Sequence, residues 1–275
     1  MIDLHLHTTA SDGRLSPGAL VSRVAAAGIT VMSVTDHDTI AGLAEVRAAA
    51  DAATVRLIDG IEITAIHDGR DVHILGYFIN PSDPTFGNFL RVQRSRRVER
   101  LREIGGRLAR MGVVVDVDSL LTIAAQMPGA SVGRPLIGRA LITAGHVASM
   151  QEAFDRFLAA GQPAFVPRVG KRPSEVVDVI HAAGGIASMA HPGVTRQPAV
   201  MASLVGAGLD AIEVYHSDHS PETQHELRTF AEQHRLLVTG GSDYHGDDSR
   251  DRPLGRSVLP GADLSRLDDR ATRQR

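Results

Sequence analysis

The chain has 275 residues, 43% of them hydrophobic, with no Cys, no Trp and 13 His. That length suits one large domain, or a domain carrying an insertion, with a sizeable core. The absence of cysteine excludes disulfides, thiolate metal sites, iron–sulfur clusters and cysteine nucleophiles, and a formal charge of -3 gives no support to a broad electrostatic nucleic-acid binder.

Residues 2–7 alternate in period two and predict a first strand that ends in His5-Leu6-His7. Ser16 and Pro17 open a predicted helix over 17–27, which Gly28 stops. The β-branched run 30–35 reads as a strand, 40–53 as a helix, 55–63 as a third strand and 72–78 as a fourth. This alternation predicts an α/β fold with a mostly parallel sheet. The pattern changes after Asn80-Pro81-Ser82-Asp83-Pro84. A long helix is predicted over 86–111, with Leu101, Ile104, Leu108 and Met111 at three- and four-residue steps. Arg91, Arg94, Arg96, Arg97, Arg100 and Arg102 read as its solvated face, or in part as a face toward an anionic substrate. Helices at 117–126, 135–144 and 150–160 complete an all-helical insertion, residues 81–162. Alternation then resumes, with strands at 186–190, 211–215 and 237–241 between helices at 174–183, 199–207 and 222–234. The polar tail 261–275 is expected to fray. No apolar run reaches the roughly 20 residues of a membrane span, and the N-terminus has no signal-peptide pattern. The expectation is a cytoplasmic protein with no membrane partner.

Ionisable residues gather where the predicted strands end: His5 and His7, Asp36-His37-Asp38, Glu62, His73, His191, His216 and His219, then Asp243 and His245, with Asp12 in the first loop. C-terminal strand ends share one face in such folds, so these residues should converge. His5/His7 and Asp243/His245 each repeat an i, i+2 spacing that sends both side chains the same way from a strand. A single strand histidine is more often a satisfied core residue, but so many buried polar groups would each be costly unless something binds them. Histidine and carboxylate without thiolate suit Zn, Mn or Fe, in numbers beyond one ion's need, which points to a multinuclear metal site.

Asp3-Leu4-His5-Leu6-His7, Ser11-Asp12-Gly13, Thr35-Asp36-His37-Asp38-Thr39, Gly60-Ile61-Glu62, Ala190-His191-Pro192 and Gly241-Ser242-Asp243-Tyr244-His245 resemble the PHP (polymerase and histidinol phosphatase) family, over about residues 1–255. The resemblance implies a distorted seven-stranded β/α barrel, residues 1–80 and 163–260, around a trinuclear metal centre. It implies that His5, His7, Glu62 and Asp243 hold one ion, that Glu62 bridges to a second held with His73 and His191, and that Asp12, His37 and His245 hold the third. The three ions would be divalent, Mn, Fe or Zn. Val72-His73-Ile74-Leu75-Gly76-Tyr77, Gly133-Arg134-Pro135 and Glu213-Val214-Tyr215 with His219-Ser220-Pro221-Glu222 resemble the TrpH/YciV-like subgroup with a helical insertion, which acts on nucleotides. Leu136 departs from the pattern, since relatives often have His there.

The implied activity is phosphoesterase chemistry with a metal-activated water as nucleophile, on AMP-type or 3',5'-nucleoside bisphosphate substrates. Alternatives are 5'–3' exonucleolysis of short RNA, a histidinol-phosphate-type phosphatase, zinc-dependent deamination or amidohydrolysis, and a non-catalytic scaffold. Asp243, His245 and His219 are the catalytic candidates, with His219 as proton donor to the leaving group or phosphate contact. Arg134, at a predicted helix N-terminus, is the candidate phosphate clamp. Lys171, the chain's one lysine, and Arg172 are placed at the site rim. Asp36 is expected to orient an imidazole.

Overall fold

The computed structural model describes residues 1–246 and 253–274. In chain order the elements are β1 (Ile2–Leu6), α1 (Pro17–Ala26), β2 (Val31–Val34), α2 (Leu43–Ala53), β3 (Arg56–Leu57), β4 (Gly60–His67), β5 (Arg70–Tyr77), α3 (Pro84–Arg110), α4 (Val117–Ala124), α5 (Arg134–Thr143) and α6 (Met150–Ala153), which runs into a π-turn at Phe154–Leu158. After an irregular segment come α7 (Pro173–Ala182), β6 (Ile186–Met189), α8 (Pro192–Thr195), α9 (Pro198–Gly206), β7 (Ala211–His216), α10 (Pro221–His234), β8 (Leu237–Gly241) and α11 (Gly261–Gln274). Among the described residues no helix is long and apolar enough to cross a membrane.

The strands form two sheets, β1-β2-β3 and β4-β5-β6-β7-β8. Isolated bridges Leu6–Tyr244 and His37–Glu62 join them. The single strand expected over 55–63 is broken at Ile58-Asp59: β3 stays with β2, and β4 starts the second sheet. The described residues therefore hold eight strands in two sheets, where the sequence predicts seven in one barrel. β5 is the other departure. It runs antiparallel to both neighbours, while β1–β2, β2–β3, β6–β7 and β7–β8 are parallel. A tight connection, Asp68-Gly69 with both φ values positive, reverses the chain where a parallel strand would need a long crossover. The reversal puts the start of β5, and so His73, at the end where the parallel strands finish.

Helix ends follow their sequence signals. Ser16 caps α1 through Ala19 N, Asp83 caps α3 through Phe86 N, and Ser220 caps α10 through Thr223 N, each followed by proline at the first helical position. α3 spans 27 residues and carries Leu101, Ile104 and Leu108 into a core of their own with Ile137, Leu141, Phe157 and Leu158. Two other cores lie under the two sheets. The solvated reading of the α3 arginines fails at two positions: Arg97 and Arg100 are 7% and 8% exposed. The fraying expected after residue 261 is also corrected. α11 buries Leu264, Leu267 and Ala271 in the larger core, and Arg56–Asp268 (2.5 Å), Arg228–Asp263 (2.5 Å) and Arg270–Asp210 (2.7 Å) pin it. Its three apolar residues recur at three and four steps, enough for a stripe once a core is present.

Candidate metal centre

Donors from both sheets meet at one place. His5 leaves β1 and His7 directly follows it, Glu62 and His73 leave the paired strands β4 and β5, and His37, His191, Asp243 and His245 follow β2, β6 and β8. His5 Nε2 lies 3.4 Å from Glu62 Oε2 and 3.4 Å from Asp243 Oδ1. His7 Nε2 lies 3.3 and 3.2 Å from the same two oxygens. The other Glu62 oxygen is 2.7 Å from His73 Nδ1 and 3.2 Å from His191 Nε2. Asp12 Oδ1 is 3.3 Å from His245 Nε2 and 3.9 Å from His37 Nε2. His37 Nδ1 also reaches Glu62 Oε2 at 3.0 Å, so the nine donors form one continuous network. Three overlapping groups, His7/Asp12/His37/His245, His5/His7/Asp243 and His37/Glu62/His73, each keep their donor atoms within 4.8 Å of one another.

Backbone geometry serves this convergence. Asp243 and His191 sit in the left-handed region at φ 55° and 31°, as does Asp38 at 54°. Each such placement costs on the order of 1–2 kcal/mol for a residue with a Cβ. Gly241 lets β8 close against β1, because a Cβ there would fall 2.4 Å from His5 N. Gly13 does the same for the loop carrying Asp12, where a Cβ would meet His7 O at 2.6 Å.

The donor chemistry fits divalent cations. His5 Nε2, both ring nitrogens of His7, Nδ1 of His37 and of His73, and Glu62 Oε2 are buried with no hydrogen-bond partner; their close contacts lack hydrogen-bond geometry. An unsatisfied buried group costs about 1–3 kcal/mol, and these are pooled at one point. Burial pushes the Asp12, Glu62 and Asp243 carboxyls up, but the surrounding imidazoles outweigh it and hold all three well below the usual range. Burial alone would lower His245, yet Asp12 and Asp243 push it up to about 9, while burial prevails at His37 and takes it down to about 3. Ionised carboxylates beside a neutral imidazole are what a cation binds.

Surrounding groups fix the donors. Glu213, fully buried, takes His5 Nδ1–H at 2.9 Å and His191 N–H at 2.7 Å, which leaves His5 Nε2 to face the cluster. Glu213 falls within the Glu213-Val214-Tyr215 motif of the subgroup resemblance, but the sequence assigned it no role. His216 accepts from Asp218 N at its Nδ1, and its Nε2 stands 3.5 Å from Asp243 Oδ2. Asp36 orients a loop rather than an imidazole: it accepts from Thr8 N, Thr8 Oγ1 and Ser11 Oγ at 2.8, 2.6 and 2.5 Å, just before Asp12.

The expected substrate contacts are placed differently. His219, read as a proton donor to the leaving group, is 5% exposed and spends both ring nitrogens on backbone, Nδ1 on Val214 O (2.8 Å) and Nε2 on Gly193 N (3.2 Å). Lys171 pairs with Glu175 of α7 at 3.1 Å, and Arg172 with the same carboxylate at 3.2 Å. Arg134 begins α5, donates to Leu158 O at 3.1 Å, stands 3.6 Å from Asp71 and lies over the Phe154 and Phe165 rings.

Such a pool of converging donors within an α/β fold is the mark of a metal-dependent hydrolase. The comparisons narrow the class. The PHP domain profile matches residues 3–130. The chain is 34% identical over 250 residues to the 5'-3' exoribonuclease Rnm of Escherichia coli, 88% of this chain and 84% of that one. It is 31% identical over 261 residues to the 3',5'-nucleoside bisphosphate phosphatase of Chromobacterium violaceum, 93% and 91% of the two chains. The crystal structure of a candidate metal-dependent phosphoesterase from Bifidobacterium adolescentis superposes with a TM-score of 0.88 at 30% identity, covering 98% of this chain and 96% of that one. The chain belongs to the PHP family and is a metal-dependent phosphoesterase.

Proposed function

We propose that this phosphoesterase hydrolyses phosphate monoesters of small nucleotides, of the AMP or 3',5'-nucleoside bisphosphate kind, at a centre of three divalent ions, Mn, Fe or Zn. The observation that carries the reading is the continuous donor network with its unpartnered buried atoms. His5, His7, Glu62 and Asp243 would hold one ion, Glu62, His73 and His191 a second, and Asp12, His37 and His245 a third. We read the two joined sheets as one strongly distorted barrel, and residues 81–162 as its helical insertion. Ions in such a site activate water and offset charge on the phosphoryl oxygens. The chain's own residues act by position: Glu213 fixes the His5 tautomer, and the Asp36 anchor holds the loop of Asp12.

Asp243→Ala or His7→Ala should abolish hydrolysis in a protein whose circular dichroism is unchanged; full activity in either variant refutes the assignment. Elemental analysis should find about three ions per chain, and zero or one would contradict the trinuclear centre. A second reading, 5'–3' exonucleolysis of short RNA, is favoured by the relative so named and by an open groove between α3 and α4 that Arg91, Arg94 and Arg102 line. Turnover of adenosine 3',5'-bisphosphate against a short 5'-phosphorylated oligonucleotide separates the two.

A further inference from the structure

Two donors of the third group sit in loops that lean on the helical segment between β5 and β6. Asp12 is in the loop after β1 and His37 in the turn after β2. Ala10 O, two residues before Asp12, accepts from Ser131 N at 2.7 Å. Thr39 Oγ1, two residues after His37, donates to Gly129 O at 2.6 Å and accepts from Ala41 N at 3.1 Å. Ser131 and Gly129 both belong to the loop between α4 and α5, so one short stretch, residues 129–132, reaches both donor loops. Ala10, Thr39 and Ser131 are buried, and breaking these bonds would leave groups unsatisfied away from water.

Arg97 of α3 completes the arrangement. Its Nε donates to Asp38 Oδ2 at 2.6 Å, its Nη1 to Val132 O at 3.1 Å and its Nη2 to Thr64 Oγ1 at 2.9 Å. Each guanidinium nitrogen thus holds a different segment: the turn of His37, the loop 129–132, and β4 two residues beyond Glu62. Asp38 accepts from Thr64 N at 3.0 Å through its other oxygen and donates its own N–H to Glu62 O at 2.9 Å. Its φ of 54° is kept only where the surroundings enforce it, and these bonds do so. The group of His5, His7 and Asp243 has a different support. There β1 and the end of β8 bond to each other directly, Asp243 N to His5 O at 2.9 Å and His7 N to Tyr244 O at 3.0 Å.

We propose that Arg97 is a positioning residue through which α3 and the loop 129–132 hold Asp12 and His37 in place, so that the third ion alone depends on this helical segment. Metal donors work only when preorganised to within about 0.5 Å, and a donor on a released loop gives up affinity. The inference rests on the trinuclear reading and adds the part that the helical segment plays in the centre.

The test counts ions per chain by elemental analysis after the full chain is dialysed against a fixed low concentration of manganese. Arg97→Met removes all three bonds. Thr39→Val removes the hydroxyl at nearly constant shape and covers the case in which the first variant does not fold. Each should retain about one ion fewer than the wild type, with Kd for that ion raised about tenfold or more, and Thr39→Ser should restore it. A merely structural role would lower Tm and leave the count unchanged. The full wild-type count in both folded variants, or loss of all ions together, overturns the proposal. If the wild type itself holds fewer than three ions, the trinuclear reading fails by itself. The brace is then read from amide hydrogen exchange in the metal-free chain: faster exchange at Asp38 in both variants than in the wild type supports it, and equal exchange overturns it.

Discussion

Glu213 shows how one residue sets the chemistry of its neighbours. Its carboxylate holds the His5 Nδ1–H and the His191 backbone N–H together, so it fixes one donor's tautomer and another's strained backbone. Partners of this kind change metal affinity by roughly 10–100-fold when removed. Glu213→Gln keeps the shape and removes the charge. Its metal content after dialysis should fall accordingly, with little change in secondary structure; wild-type retention would count against the orienting role. His219 is the opposite case. Both its nitrogens are already committed to backbone, so its side chain ties the turn after β7 to α8.

Among the elements, α11 is the one whose sequence least announces its place. Leu267 is fully buried against the larger core. Leu267→Ala should destabilise by about 2–5 kcal/mol in denaturant titration, whereas a frayed tail would show no change. Asp210 joins three elements by accepting from His181 of α7 (2.6 Å), Arg270 of α11 (2.7 Å) and Ala187 N of β6 (3.0 Å). The hydrogen bond to Asp210 raises His181 above its ordinary 6.5. Burial would raise Asp210, but His181 and the Ala187 amide outweigh it and hold it below 3.8. A raised histidine stabilises fully below its unfolded pKa and loses that contribution as pH climbs through the folded value. A lowered carboxyl stabilises above its unfolded pKa and loses it as pH falls. The Tm gap between wild type and His181→Gln should therefore be widest between about pH 4 and 6.5 and narrow by pH 9. A gap that widens toward pH 9 would contradict the pairing.

For the molecule as a whole, the donor network is also a clasp. β1 and the turn after β2 belong to one sheet, while β4, β5, β6 and β8 belong to the other, and backbone bonds such as His7 N to Tyr244 O, Asp243 N to His5 O and Asp38 N to Glu62 O cross between them at the donors themselves. Ions bound only by the native state stabilise it in proportion to the logarithm of their concentration over Kd. Chelation should thus lower Tm, with readdition of manganese restoring it, and a chelator-insensitive Tm would argue against metal at this junction. The near-neutral net charge says little about substrate, because charge is segregated within the fold: carboxylate and imidazole at the metal centre, buried guanidinium beside it.

Strand and helix alternation, the helical stretch in the middle and the donor positions were all readable from local pattern, because periodicity and strand-end placement are properties of neighbouring residues. His5/His7 and Asp243/His245 announce themselves by spacing alone. The reversed β5, the split of 55–63 into two strands and the docking of α11 needed the tertiary structure, since each depends on which distant surface a segment meets. The same holds for Arg97 and Glu213. Whether a charged side chain is solvated or buried against a partner is decided by residues far away in sequence, as Asp38 lies 59 positions from Arg97. Sequence by itself thus determined which donors this protein carries, and tertiary structure decided which distant groups hold them in place, because pairing and desolvation are set in space.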